Sequence, residues 1–277
     1  MKYASRCAAQ MIHPISGFPG VSAQHTVNMR TLAIAGALLI TGAVGQTAPS
    51  TWRLTFDYFN LDVKGHVIGR QRYSALYTRG LPGDTVRWND VSIASADGWT
   101  EFGPAQKQDF MEGFSYPHAA DNLKPEFFKG FPPAAINQRN LIWDTHMFES
   151  YALNLDKLKL NTVYHVPENG DAALAGMGTF HDRDLQLILT GNSLRNGRDC
   201  AVIDYRAMFN TLDVKLPGFE IVGRSDYWGQ IWVSTATKQI EYATLYEEVL
   251  GEGTLLGQQK PMTISAVREG TFELVDQ

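Results

Sequence analysis

The sequence predicts a mainly β protein: a curved antiparallel sheet (half-barrel or barrel-like β-meander), one or two short helices and a covering segment rich in Phe and Pro. Three observations support this prediction. Segments of β-compatible residues alternate with turn residues from Thr162 onward. One short stretch has helical periodicity. Residues 102–133 contain too much proline for a long helix or a central strand.

The first β region extends from Trp52 to about Trp99. Residues 70–78 are rich in aromatic and β-compatible side chains, and a Pro-Gly turn follows within residues 80–84. An extended pattern then resumes over residues 84–93. This region is therefore expected to supply the N-terminal strands of the sheet.

Residues 102–133 hold five of the 12 prolines and six of the 14 phenylalanines. Burying six phenylalanine side chains is worth roughly 10 kcal/mol of transfer free energy, so we expect them to be packed rather than exposed. The segment is interpreted as an ordered cover with short helical turns over the mouth or face of the sheet. Four of its phenylalanines are predicted to line a ligand site: Phe110, Phe114, Phe127 and Phe128.

The strongest helix prediction covers residues 144–155. Apolar residues recur every four positions at Trp143, Met147, Tyr151 and Leu155. Asp144 is placed to cap the first turn of such a helix.

The C-terminal half reads as a β-meander. Asn169-Gly170 and Asn196-Gly197 are hairpin dipeptides that tolerate positive φ. Long antiparallel strands twist and curl, which favours a curved sheet over a flat one. The predicted strands are residues 180–190, 200–210, 219–234, 239–250 and 262–274.

Residues 29–45 have the layout of a secretory signal peptide. Arg30 precedes an uncharged, mostly apolar run over 32–44, and Ala43 and Gly45 occupy positions −3 and −1 of a cleavage site. That run is shorter than the roughly 20 residues that a membrane-spanning helix needs. The protein is therefore expected to be exported, to a bacterial periplasm or the extracellular space.

The domain organisation follows from that leader. Residues 1–28 are interpreted as a non-native or unstructured N-terminal extension. Residues 46–277 are expected to form a single β-rich exported domain without a transmembrane segment. Within it, residues 52–135 supply the N-terminal strands and the cover, and residues 136–277 supply the helix and the meander.

The charge balance of residues 46–277 argues against nucleic acid as a partner. This part holds all 29 acidic residues but only 21 of the 24 lysines and arginines, a net charge of −8 (21 minus 29). A chain this acidic, without a basic run, binds nucleic acid and anionic membranes poorly. Cys200 is its single cysteine, so no intramolecular disulfide is possible within it.

A second predicted ligand surface lies on one strand. Arg224, Asp226, Trp228 and Trp232 fall on one face if residues 219–234 are extended, and Gln230 shares that face. Tryptophan beside arginine, aspartate and glutamine is typical of a site for a sugar or a polar headgroup. The structural alternative is that Gly223 and Gly229 ease a strongly bent strand around large aromatic side chains.

Catalytic and metal chemistry receive less support. Asp204 or Asp226 could form a glycosidase-like carboxylate pair with Glu241 across strands, although ordinary cross-strand pairing with Arg206 or Arg224 is far commoner. His146 and Glu149 are spaced as two metal ligands on a helix, but a zinc site needs a third. The sequence therefore predicts no catalytic residue, no metal site and no cofactor.

The first functional hypothesis is a non-enzymatic binding or carrier module for a hydrophobic or amphipathic ligand, such as a lipid or lipoprotein, held between sheet and cover. Only in architecture is the predicted fold similar to periplasmic lipoprotein carriers and related lipid-binding half-barrels; no motif residues support membership. The alternatives are a carbohydrate-active hydrolase and a cell-envelope scaffold protein.

Overall fold

The computed structural model describes residues 48–167, 170–255, 257 and 260–275. Within these residues the chain forms one sheet of 13 antiparallel strands and one α-helix, which confirms the predicted fold class. The sheet is not closed into a barrel. The predicted extension and signal peptide (residues 1–45) and Asn169 of the first predicted hairpin lie outside the described residues.

The strands have very unequal lengths, from two residues to 19. Helix α1 spans Ile136–Ala152, and short 3-10 turns occupy Asp109–Met111, Pro125–Phe128 and Leu155–Lys157. The strands are β1 Ser50–Leu61, β2 Val67–Leu81, β3 Thr85–Asp97, β4 Gln106–Lys107, β5 Ser115–Pro117, β6 Val163–His165, β7 Asp171–Ala173, β8 Gly178–His181, β9 Asp184–Arg195, β10 Arg198–Leu216, β11 Phe219–Ser234, β12 Ile240–Leu255 and β13 Met262–Val275.

The two ends of the described chain meet in the middle of the sheet. Strand β1 pairs with β13, with Trp52 opposite Leu274 and Tyr58 opposite Arg268. The order β3-β2-β1-β13-β12-β11-β10 therefore joins an N-terminal meander to a C-terminal one. The short strands β4 and β5 both pair with β3.

Strand β10 changes partner at a bulge. Its first part pairs with β9 and its second part with β8. Between them Phe209 has a φ of 65°, and the pairing with β11 is interrupted between Ala207 and Asn210. The Asn210 side chain donates to the carbonyls of Ala207 and Ser225, each at 3.0 Å, and so satisfies backbone groups that the bulge leaves unpaired.

Helix α1 lies on the inner face of the sheet, where Phe148 packs against Tyr205 and Phe272 at ring distances of 6.2 and 5.7 Å. The predicted start of the helix at Asp144 is wrong. The helix begins at Ile136, its N-cap is Ala135, and no side chain caps it. Asp144 is buried in the middle of the helix instead, because its carboxylate binds Arg268.

The segment between β5 and α1 (residues 118–135) contacts the turn between β7 and β8, which lies toward the other end of the strand order. Pro125 is packed so closely against Gly176 that a β-carbon there would lie 3.1 Å from the proline ring. From α1, Arg139 donates to the sulfur of Met177. These contacts connect the segment before α1, and α1 itself, to the β7–β8 turn without any pairing of strands.

Candidate functional site

The structure brings the four predicted cover phenylalanines together. Phe128 is buried and the other three are half-buried. Phe114 and Phe127 meet edge to face at 5.7 Å, and Phe127 and Phe128 do so at 4.8 Å. Phe110 joins the group through Phe131, which lies 5.1 Å from it and 5.0 Å from Phe114.

This aromatic group rests on the N-terminal half of α1. Trp143 meets Phe128 edge to face at 5.6 Å, and its indole nitrogen donates to the carbonyl of Asn122 at 3.1 Å. The Arg139 guanidinium lies 5.2 Å from the centre of the Phe128 ring. We define the aromatic cover as the residues Phe110, Phe114, Tyr116, Phe127, Phe128 and Phe131, which pack on Trp143 of α1.

The second predicted ligand surface lies on the other face of the sheet. Trp228 stacks on Tyr246 at 6.2 Å, and Trp232 contacts Tyr242 at 5.3 Å, both away from α1. Arg224 is exposed beside them on β11. The two predicted groups of ligand residues are therefore not parts of one site.

Asp226 differs from its neighbours on that strand because it is buried. Its carboxylate accepts a hydrogen bond from the backbone N–H of Phe209 at 2.5 Å, and Arg224 lies 3.9 Å away. The carboxylate of Asp226 thus binds the backbone of the β10 bulge.

The three carboxylates considered for hydrolysis each have a separate partner. Asp204 accepts from Gln230 at 2.7 Å, and Glu241 accepts from Arg198 at 2.7 Å. Asp226 accepts from the backbone N–H of Phe209 in the β10 bulge. No hydrogen bond or ion pair found in the described part of the chain joins these acids into a facing pair.

A buried ionic cluster lies between α1 and the sheet, a feature for which the sequence shows no spacing signal. Arg268 donates to Asp144 at 2.8 Å, to Glu247 and to the Tyr58 hydroxyl at 3.1 Å. Glu247 also accepts from Ser225 at 2.5 Å. Two acids share one guanidinium here. Burial raises the pKa of Asp144 to about 6, against the lowering effect of Arg268.

A second polar cluster lies where α1 meets the end of β5. His118, His146 and Glu149 each offer a ligand atom, and these atoms lie within 4.8 Å of one another. His118 Nε2 is 2.8 Å from Glu149 Oε2, and the two imidazole rings are nearly parallel at 5.6 Å. The sequence shows only the His146–Glu149 spacing, since His118 comes from a proline-rich loop far upstream.

Electrostatics favour an ionised carboxylate and a neutral imidazole in this cluster. Burial opposes ionisation of Glu149, but the His118 hydrogen bond and the Arg79 charge outweigh it, so the pKa of Glu149 is lowered. Burial lowers the pKa of His146, against the attraction of Glu149. A charged oxygen and an unprotonated nitrogen are the forms in which these side chains bind cations.

Two clefts in the described residues lie away from the aromatic cover. One of about 450 Å³ is lined by residues that include Arg198, Gln239 and Glu241. The other, of about 170 Å³, is lined by residues that include Asp57 and Tyr246. The rings of the cover contact one another at centroid distances of 4.6–5.7 Å.

No protein-family model matches the chain, and no curated protein matches it in sequence. Among solved structures it is similar to lipovitellin, in a structure described by its lipid–protein interactions, with a TM-score of 0.38 and 12% identity. The match covers 82% of this chain and 25% of that one, so the chain spans about a quarter of lipovitellin's length. A similarity of this size gives no information about ligand or activity.

Proposed function

We propose that this protein is an exported, non-enzymatic binding or carrier protein for a hydrophobic or amphipathic molecule, whose apolar part enters between the aromatic cover and α1. The observation that supports this proposal is the composition and position of the cover. Six aromatic rings form one apolar layer on the N-terminal half of α1, and Phe110, Phe114 and Phe127 are only half-buried there. Large aromatic surfaces with few polar groups are typical of sites for apolar ligands.

The attachment of the cover is compatible with its opening. Its backbone joins β3 through the two-residue strand β4, the three-residue strand β5 and separate hydrogen bonds at Trp88 and Val91. The part that carries Phe127, Phe128 and Phe131 follows β5 and contains no strand. Few polar contacts tie it to α1, among them Gln138 to Gln108 at 3.0 Å and Trp143 to Asn122 at 3.1 Å. An entering alkyl chain would replace ring–ring contacts with ring–alkyl contacts, at little cost in buried apolar area.

One end of the cover suits the polar part of an amphipathic molecule. Tyr116 lies 6.2 Å from the His146 ring, and its hydroxyl accepts from the Trp88 indole at 3.2 Å. The Arg79 side chain is 39% exposed nearby, where it pairs with Glu149. A ligand lying across this boundary would meet aromatic rings along its tail and polar groups at its head.

Native mass spectrometry of the purified full chain tests the proposal directly, since a carrier is expected to retain a lipid-sized molecule. In addition, N-phenyl-1-naphthylamine should bind and be displaced by palmitate or lysophosphatidylglycerol. Phe114→Ala and Phe127→Ala should weaken probe binding at least about tenfold, since each removes a ring that contributes over 1 kcal/mol of contact. Phe209→Ala is the matched control, because that side chain is 73% exposed on β10.

Repeated absence of a bound molecule, together with no probe binding by the folded protein, would contradict the carrier proposal. Equal binding by Phe114→Ala, Phe127→Ala and Phe209→Ala would place the ligand elsewhere on the molecule. Both outcomes are readable without knowing the natural ligand.

Export is a separate part of the proposal and has its own test. N-terminal sequencing of the product released by the producing cell should begin at Gln46, directly after the predicted cleavage site. A product that begins before Met29 would contradict the predicted leader. In the described residues, no helix combines the length and the apolar character needed to cross a membrane.

A further inference from the structure

The cluster of His118, His146 and Glu149 has the chemistry of a metal site. We propose that these three side chains bind one divalent transition-metal ion, with Zn²⁺ the ion that two imidazoles and one carboxylate suit best. The proposal does not depend on whether the aromatic cover binds a lipid, because none of the three groups belongs to the cover.

Two different elements hold the three ligands in place. His146 and Glu149 are three residues apart on α1, which places them on the same side of the helix. His118 directly follows β5, and its backbone N–H donates to the carbonyl of Asp84 at 2.8 Å. The backbone hydrogen bond holds His118 in position opposite α1, so none of the three ligands lies on an unanchored loop.

The partners of Glu149 leave one oxygen available for a cation. Its Oε1 accepts from the Tyr77 hydroxyl and from Arg79, each at 3.1 Å. Its Oε2 faces His118 Nε2 at 2.8 Å. These outer contacts fix the orientation of the carboxylate, as hydrogen bonds commonly do for carboxylate ligands in metal sites.

His146 supplies an independent indication. Its Nε2 is buried and has no hydrogen-bond partner among the described residues. Buried side-chain nitrogens in folded proteins are nearly always paired, so an unpaired one needs an explanation. A bound ion that engages the His146 ring would draw this side chain into the same cluster as His118 and Glu149.

The spacing of the ligand atoms suits a single ion after a small adjustment. Zinc bonds of about 2.0–2.2 Å place two ligands of one ion at most about 4 Å apart. The observed separations, within 4.8 Å, therefore require movements of less than about 1 Å. On binding, any proton on the coordinating nitrogen of His118 leaves for solvent, since only the lone pair can bind the ion.

Arg79 is the positive charge that opposes a cation here. Its side chain is 39% exposed, so it can turn toward water when Glu149 engages the ion. Tyr77 keeps its hydrogen bond to Oε1 in either case. Three protein ligands also leave a fourth position for water, as in zinc sites that exchange a ligand.

Titration of the full, untagged chain with Co²⁺ after removal of metals by a chelator tests the site. One Co²⁺ per chain should bind, give visible absorption bands and be displaced by Zn²⁺. His118→Ala and Glu149→Gln should each weaken binding at least about tenfold, since even outer partners of a metal site commonly contribute that much. His165→Ala is the matched control, because that exposed histidine pairs with Asp184 at 2.6 Å outside the cluster.

Glu149→Gln preserves the size and one acceptor oxygen, so it keeps the test meaningful if His118→Ala folds poorly by circular dichroism. The proposal is overturned if the folded wild-type chain shows neither Co²⁺ absorption nor heat of Zn²⁺ binding by calorimetry. It is equally overturned if His118→Ala and Glu149→Gln bind as tightly as His165→Ala, since the ion would then be held elsewhere, for example at His13 or His25.

Discussion

Arg268 of β13 and Asp144 of α1 form a buried ion pair, with Nη1 donating to Oδ2 at 2.8 Å and Nη2 donating to Oδ1 at 3.2 Å. The same guanidinium reaches Glu247 of β12. Ionic contacts as well as apolar packing therefore connect α1 to β12 and β13. Water is excluded from this cluster. Removal of one charged partner therefore leaves the remaining charges buried without a counter-charge, which is unfavourable.

Arg268→Met should be strongly destabilising for this reason. It leaves Asp144 and Glu247 buried without their shared cation, and the expected loss is about 3–5 kcal/mol in the free energy of unfolding. Urea denaturation at neutral pH measures it. The control is Arg72→Met, whose partner Asp57 lies on the outer face and whose side chain is 45% exposed; the expected loss there is under about 1 kcal/mol. Equal losses in the two variants would contradict a structural role for the buried pair.

Gly229 tests the close approach of β11 and β12. A β-carbon at this position would overlap the carbonyl oxygen of Thr244 and lie 2.7 Å from the Tyr205 hydroxyl. Gly229→Ala should therefore destabilise the fold by about 1–3 kcal/mol, as overpacking does elsewhere. Gly69→Ala on β2 is the matched control, because its β-carbon would meet no atom closer than 3.9 Å. Thermal unfolding of both variants measures the difference, and a Gly229→Ala protein as stable as Gly69→Ala would show that the strands can separate freely.

The meander could be predicted from sequence because its signals are local. Asn196 and Gly197 both have positive φ between β9 and β10, as their dipeptide indicates. Leu185 and Leu187 are buried on β9, while Gln186 between them is half-buried. Alternation and turn chemistry need only a few neighbouring residues, so one sequence is enough to detect them.

The start of α1 could not be predicted, because the helix is buried on several sides. A helix with one exposed face shows an apolar stripe, whereas Arg139, Asp144 and Glu149 are all buried here. Their partners lie on β2, on β13 or in loops distant in sequence. No capping residue marks the true start either, since the N-cap is Ala135.

The candidate metal cluster could be predicted only in part. His146 and Glu149 are visible as a spaced pair, but His118 is 28 positions upstream of His146, in a loop whose path depends on the cover. Asp226 shows the opposite case. The alternation along β11 correctly assigns Asp226 to the predicted face of the strand. Its carboxylate nevertheless accepts a hydrogen bond from the backbone N–H of Phe209 in the bulge, which no pattern within β11 reveals.

Cys200 should react slowly in the folded protein. Its side chain is fully buried, and burial, together with the charge of Glu241, raises the pKa of the thiol. Since the thiolate is the reactive form, iodoacetamide should modify it at least about tenfold more slowly than in guanidinium-unfolded protein. Mass spectrometry of the tryptic peptide 199–206 reports this cysteine separately from Cys7. Equal rates in the two states would mean that this part of β10 opens readily.

His181 should titrate above the ordinary range of histidine. Its Nδ1 lies 2.7 Å from Asp171 and its Nε2 lies 3.4 Å from Asp213, so one ring links β7 and β10. The hydrogen bond to Asp171, followed by that to Asp213, raises the pKa of His181. A raised pKa means that the folded state favours the protonated ring. The stabilisation is therefore fully present below about pH 6.5, the unfolded value, and is lost as the pH rises through the folded pKa.

An NMR pH titration of the imidazole resonances measures this midpoint in the intact chain. Asp171→Asn should move the His181 midpoint down toward about 6.5, because the amide cannot stabilise the imidazolium by charge. Asp184→Asn is the matched control, since it removes the partner of His165 and leaves both partners of His181 in place. A wild-type midpoint at or below 6.5, or one that Asp171→Asn does not change, would show that β7 and β10 are not linked by a charged histidine.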